Sequence, residues 1–233
     1  MKFYGIQKTS LVNYPGRIST VLFTRGCNLR CRYCYNRDLV CTTDTSGDPL
    51  NHTEALDILL PRTSFIDAVV ITGGEPTIND TLPQFLTDIR EKTSLLIKLD
   101  TNGFRPDVIE SLVEKHLVDY VAVDIKTSPE KYTQIAGVEV DTSLLARTIT
   151  ILREYGITYE CRTTVVPGFF SSADIDSIRS FIGTVDSYYL QQFVNENTID
   201  TDYANIYPFS KEELTAFCTQ IQSFSSACHV RGI

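Results

Sequence analysis

Short runs of apolar and β-branched residues alternate with longer stretches whose apolar positions recur every three or four residues, and this alternation runs through the whole 233-residue chain. Ile18–Phe23 (ISTVLF), Asp67–Thr72 (DAVVIT), Leu95–Asp100 (LLIKLD), Tyr120–Ile125 (YVAVDI), Thr158–Val166 (TYECRTTVV) and Tyr188–Phe193 (YYLQQF) read as strands. Between them, helices are predicted from near Thr53, over Leu82–Lys92, Pro106–His116, Ser143–Gly156 and Asp174–Gly183, and then over Lys211–Gln222. The punctuation agrees: Thr53 is an N-cap type, Pro106 suits a first helical turn, and Gly156 suits a helix end. Cys228–Gly232 (CHVRG) reads as a final short strand.

Repeated strand–helix units imply a parallel sheet. About six units are too few for a closed eight-stranded barrel, which takes roughly 250 residues. The expectation is therefore an α/β fold, a partial open (β/α)6 barrel, formed by one domain over residues 1–233. Thr42–Asn51 (TTDTSGDPLN) reads as a polar connection within it and not as a domain linker. In such sheets, sites gather at the carboxyl ends of the strands. The unusual residues fall there: a cysteine-rich loop, then TGGEP (Thr72–Pro76), DTNG (Asp100–Gly103), DIK (Asp124–Lys126) and RTTVVPG (Arg162–Gly168).

Composition narrows the class. Hydrophobic residues at 42% and charged residues at 21% are ordinary for a globular protein, and no apolar run is long enough to cross a bilayer. The opening MKFYGIQKTS lacks the apolar core of a secretory signal, so a cytoplasmic location is expected, with no membrane partner. A net charge of −8 argues against a nucleic-acid partner.

The seven cysteines are unevenly placed. Cys27, Cys31 and Cys34 crowd into one loop, a pattern that reads as metal binding or catalysis rather than a disulfide framework. Three thiolates on an iron–sulfur cubane leave one iron without a protein ligand, and an open metal position is where a cofactor or substrate enters. The competing reading is a structural zinc knot completed by Cys41 or a histidine. Cys41, Cys161, Cys218 and Cys228 have no motif spacing and read as small buried hydrophobes.

The loop CNLRCRYC resembles the C-x3-C-x-aromatic-C motif of radical S-adenosylmethionine (SAM) enzymes, and GGEP resembles that superfamily's motif for the SAM amino group. The resemblance spans nearly the whole chain. It implies a [4Fe-4S] cluster on Cys27, Cys31 and Cys34 as the catalytic centre, with SAM chelated to the fourth iron. Gly73 and Gly74 would let backbone approach the ligand, Glu75 would meet its ammonium, and Tyr33 would lie beside the adenine. LDTNG and DIK, with the opening GIQKTSLVNYPG, are similar to glycyl-radical-enzyme activases, in particular those of anaerobic ribonucleotide reductase. That likeness implies SAM contacts from Asp100, Asn102, Asp124, Lys126 and Arg162. It also implies a monovalent cation held by Asp100, Thr101 and Asp124, with the Ala122 carbonyl. The family's last-strand histidine is absent here: His52, His116 and His229 lie elsewhere. Gln191 or Gln192 would replace it, and Gln192 is taken as the contact.

The implied reaction is hydrogen abstraction from a glycine of a partner glycyl radical enzyme, with anaerobic ribonucleotide reductase as the expected partner. Two alternatives stand beside it: a radical SAM enzyme acting on a small molecule, such as a carbon-skeleton synthase of modified-base metabolism, and a non-enzymatic zinc module. Within Thr24–Asp38, four arginines (Arg25, Arg30, Arg32 and Arg37) face one acid, Asp38. They read either as a docking patch for an acidic flavodoxin or ferredoxin, or as a solvated face that offsets the cluster's own charge.

Overall fold

The computed structural model describes residues 1–41 and 48–232. Its strands are β1 (Lys2–Phe3), β2 (Gly5–Ser10), β3 (Ser19–Thr24), β4 (Leu50–Asn51), β5 (Ala68–Gly73), β6 (Leu96–Thr101), β7 (Tyr120–Asp124), β8 (Thr158–Val165), β9 (Val185–Gln192) and β10 (Ser225–Arg231). The helices are α1 (Arg37–Val40), α2 (His52–Leu59), α3 (Leu82–Lys92), α4 (Pro106–Glu114), α5 (Tyr132–Ala136), α6 (Thr142–Glu154), α7 (Ser172–Ile182) and α8 (Lys211–Ile221). Of the polar connection expected over 42–51, residues 42–47 lie outside the described residues, and Leu50–Asn51 pairs antiparallel with β1.

One sheet carries the fold, in the order β10-β9-β8-β7-β6-β5-β3-β2. Neighbours from β3 to β10 pair in parallel, and β2 runs antiparallel to β3 at one edge. The two edge strands, β2 and β10, do not pair with each other, so the barrel stays open as expected. The strand β10 continues the parallel series past the six expected units.

The helices start where local chemistry permits. Asn51, rather than Thr53, caps α2: its Oδ1 accepts from Thr53 N (2.9 Å) and Glu54 N (3.1 Å), while Glu54 returns a bond to Asn51 N. Pro106 occupies the first turn of α4. The amphipathic faces of α3, α4, α6, α7 and α8 cover the outer face of the sheet, burying Phe85, Leu112, Leu152, Ile178 and Leu214 among others. Each such side chain contributes roughly 1.5–3 kcal/mol of apolar burial.

The inner face is divided. Near β3 and β5 it is apolar, built from Val21, Ala68 and Val70 with Tyr14 and Tyr120. Along β6, β7 and β8, alternation instead turns Lys98, Asp100, Asp124, Glu160 and Arg162 toward one another. Among the described residues, no helix is long and apolar enough to cross a membrane.

Candidate active site

At the carboxyl ends of the strands lies an open-mouthed cavity of about 210 Å³. Cys27, Cys31, Tyr33 and Cys34 line it, with Gly73, Gly74, Glu75, Asp100, Thr101, Asn102, Asp124, Lys126 and Arg162. Every site residue expected from the sequence is therefore at this one place, except Gln192 and Ala122, which do not line it. On β9 it is Gln191 that reaches the cavity, where its Nε2 donates to Tyr35 Oη (3.1 Å). Gln192 points the other way, and its Nε2 donates to Phe209 O (2.6 Å). The expectation for Gln192 is corrected accordingly.

The cysteine loop is held by its backbone from four sides. Gly26 N donates to Leu39 O, Arg30 N to Ala136 O, Ile199 N to Cys34 O, and Glu75 N to Gly26 O. Gly73, at φ +118°, and Gly74 press against this loop. A Cβ on Gly73 would strike the Thr24 backbone, and one on Gly74 would strike the Gly26 carbonyl. These glycines thus let two protein backbones meet, a closer constraint than the ligand approach expected of them.

Burial pushes the Cys31 thiol up to about 12 and raises those of Cys27 and Cys34. Bare, the three rest as thiols, and metal loading must release their protons. Cys27 Sγ lies within 3.4 Å of Leu29 N and 3.8 Å of Asn102 Nδ2, donors that favour the thiolate.

Glu75 is fully buried. Its Oε1 accepts from Thr77 N (3.1 Å), Thr77 Oγ1 (2.6 Å) and Thr101 Oγ1 (2.8 Å), and its Oε2 from Asn102 N (2.7 Å). Burial raises its pKa against the pull of those donors. The carboxylate therefore braces the end of β5 against the end of β6.

A line of ion pairs crosses the floor. Asp124 Oδ1 meets Arg162 Nε (2.7 Å) and its Oδ2 meets Lys126 Nζ (3.3 Å). Asp100 Oδ2 meets Arg162 Nη1 (3.3 Å) and its Oδ1 meets Lys98 Nζ (2.6 Å). Burial opposes both charges, but Arg162 and Lys126 hold Asp124 down at about 2, and Lys98 and Arg162 lower Asp100. All four carboxylate oxygens face protein cations, and Thr101 is bonded to Glu75. The monovalent cation expected on Asp100, Thr101 and Asp124 does not fit this arrangement. Lys98 and Glu160, both essentially inaccessible to solvent, were not singled out from the sequence. Their inward alternation on β6 and β8 is the signal that could have found them.

The donor set fits the implied groups. Three thiols, and no fourth among the cavity-lining residues, suit a cubane with one iron open to a cofactor. No three acidic, histidine or cysteine side chains among the described residues converge as a single-ion site. Of the other cysteines, Cys41 is exposed and Cys161 is buried. Cys218 and Cys228 form a disulfide between α8 and β10, with Cα atoms 5.5 Å apart, which corrects the expectation of separate buried thiols. The four arginines also differ. Arg25 stacks on the Tyr4 ring (3.8 Å), Arg30 bonds the Leu29 carbonyl (2.8 Å), Arg32 approaches Asp200 (3.9 Å), and Arg37 is exposed.

The Radical SAM superfamily description matches residues 21–182. A provisionally named glycyl-radical enzyme activating enzyme of Methanocaldococcus jannaschii is 34% identical over 214 residues, covering 89% of this chain and 86% of that protein. The 7-carboxy-7-deazaguanine synthase of Methanothermobacter thermautotrophicus is 29% identical, covering 71% of this chain and 67% of that protein. A Staphylococcus aureus pyruvate formate-lyase-activating enzyme is 27% identical, covering 79% and 76%. Among solved structures, Streptococcus suis SuiB bound to S-adenosylmethionine superposes with a TM-score of 0.61 at 18% identity. That match covers 91% of this chain but only 52% of SuiB, and it bears on the fold alone.

Proposed function

We propose, from the premise that the chain belongs to the radical SAM superfamily and to its glycyl-radical enzyme activating enzymes, that its substrate is one glycine of anaerobic ribonucleotide reductase. When bound, the [4Fe-4S] cluster and SAM supply a 5′-deoxyadenosyl radical able to take a hydrogen atom from a glycine α-carbon. The protein's part is to hold, orient and exclude water. In this reading Cys27, Cys31 and Cys34 hold the cluster, and Asn102 supports Cys27. Lys126 and Arg162 receive the SAM carboxylate, and Tyr33 and Gln191 bound the space for the nucleoside.

One observation carries the reading: three thiols and no fourth line the same cavity as Lys126 and Arg162. Among the cavity-lining residues, Lys126 and Arg162 are the two cationic side chains, and both can meet an incoming carboxylate. The open barrel edge between β2 and β10 suits a protein loop as substrate. Exposed Arg30, Arg32 and Arg37 beside the cysteines suit an acidic flavodoxin or ferredoxin as electron donor. The whole chain would act as one cytoplasmic radical SAM domain.

A small-molecule substrate is the second reading, favoured by the likeness to the deazaguanine synthase. One experiment separates the two. Reconstituted protein is reduced anaerobically with SAM and anaerobic ribonucleotide reductase. Glycyl-radical resonance on the reductase supports the proposal. Its absence, with SAM turnover unaffected by the reductase, favours the small-molecule reading.

A further inference from the structure

Behind the cavity wall, and lining none of it, sits a buried charge cluster that the reading above leaves unused. Lys98 is 1% exposed and Glu160 is 0% exposed. Glu160 takes both arms of the Arg231 guanidinium (2.7 and 3.0 Å) and the Tyr120 hydroxyl (2.8 Å). Lys98 Nζ lies 3.9 Å from Glu160 Oε1 but 2.6 Å from Asp100 Oδ1.

Unpaired charges inside a barrel are costly, so the ions must divide their partners. Arg231 satisfies Glu160, which leaves Lys98 to Asp100. Asp100, so neutralised, holds Arg162 only loosely (3.3 Å), and Arg162 settles on Asp124 (2.7 Å) at the cavity wall. The position of the Arg162 guanidinium is thus set by a line of charges that begins on the edge strand β10.

We propose that Lys98 is a positioning residue for the SAM site and that Arg231, on β10, acts on that site through Glu160 and Lys98. The proposal rests on the SAM-binding reading of Lys126 and Arg162. Without Arg231, Glu160 has Lys98 as its remaining cation and draws it off Asp100. Asp100 then pulls Arg162 away from Asp124.

The test measures SAM affinity through the change SAM makes in the electron paramagnetic resonance of the reduced cluster, with iron content counted in each protein. Arg231→Leu should bind SAM more weakly by about two- to thirtyfold, the range for coupling through such a network, with iron unchanged. Adding Glu160→Gln should restore binding, because the amide needs no countercharge and still accepts from Tyr120. Lys98→Met, which leaves Glu160 paired with Arg231, should also weaken SAM binding, and it keeps the test open if Arg231→Leu misfolds. Unchanged affinity in Lys98→Met, or an Arg231→Leu defect that Glu160→Gln does not relieve, would overturn the proposal. Failure of the iron-loaded wild-type protein to bind SAM would overturn the underlying reading itself, whereas wild-type binding with unaltered variants overturns only the roles of Lys98 and Arg231.

Discussion

The hydroxyl of Thr101 donates to the carboxylate of Glu75 across 2.8 Å, tying the end of β6 to the end of β5 beneath the cysteine loop. Glu75 meets three further donors at the same time. An amide in its place would turn an N–H group toward some of those donors and leave them unpaired. Glu75→Gln should therefore lower the stability of the metal-free protein by on the order of 1–3 kcal/mol, measured by urea denaturation. An unchanged midpoint would show that the brace carries no stability.

Gly74 faces the Gly26 carbonyl with no room for a side chain. Gly74→Ala has to displace the cysteine loop and should cost about 1–3 kcal/mol as an overpacked contact. Iron retention after reconstitution should fall with it. Full stability and full iron loading in this variant would mean the two backbones can part freely.

These two contacts show what the sequence could and could not disclose. GGEP was legible as a motif, yet the group that demands its glycines is the neighbouring loop's backbone, which no local spacing reveals. Asp100 was legible because it ends a strand. Lys98, two residues earlier, looked like part of the same run, because the charges it lies among include Glu160 from β8, a tertiary neighbour at 3.9 Å. Gln191 and Gln192 differ only in which face of β9 they occupy, and pairing with β10 decides that. The strand β2 (GIQKTS) is too polar to signal a strand on its own and forms by pairing with β3. The disulfide joins cysteines on a helix and a strand whose contact is tertiary.

The depressed pKa of Asp124 predicts a pH dependence. Its folded value of about 2 lies below the ordinary 3.8, so its stabilisation is present in full above about pH 4 and is lost as pH falls toward 2. The difference corresponds to about 2 kcal/mol. Acid unfolding followed by circular dichroism should be less steep between pH 4 and 2 in Asp124→Asn than in the wild type. Equal slopes would contradict the ion pair with Arg162.

The exposed arginines of the cysteine loop predict a salt-sensitive encounter with a protein donor. Arg30→Glu and Arg37→Glu should slow reduction of the cluster by flavodoxin at low ionic strength, and the difference should shrink as salt shortens the Debye length to roughly 10 Å at 0.1 M. Reduction by dithionite should be unaffected. Equal slowing with both reductants would assign the arginines to the cluster rather than to docking.

Three thiols line one cavity, and the site's chemistry begins with them. Anaerobic reconstitution of the wild-type chain, followed by iron analysis, should give about four irons per chain, the content of one cubane cluster. Cys31→Ala should lose them, and Cys218→Ala should keep them. Full iron retention in Cys31→Ala would contradict the site.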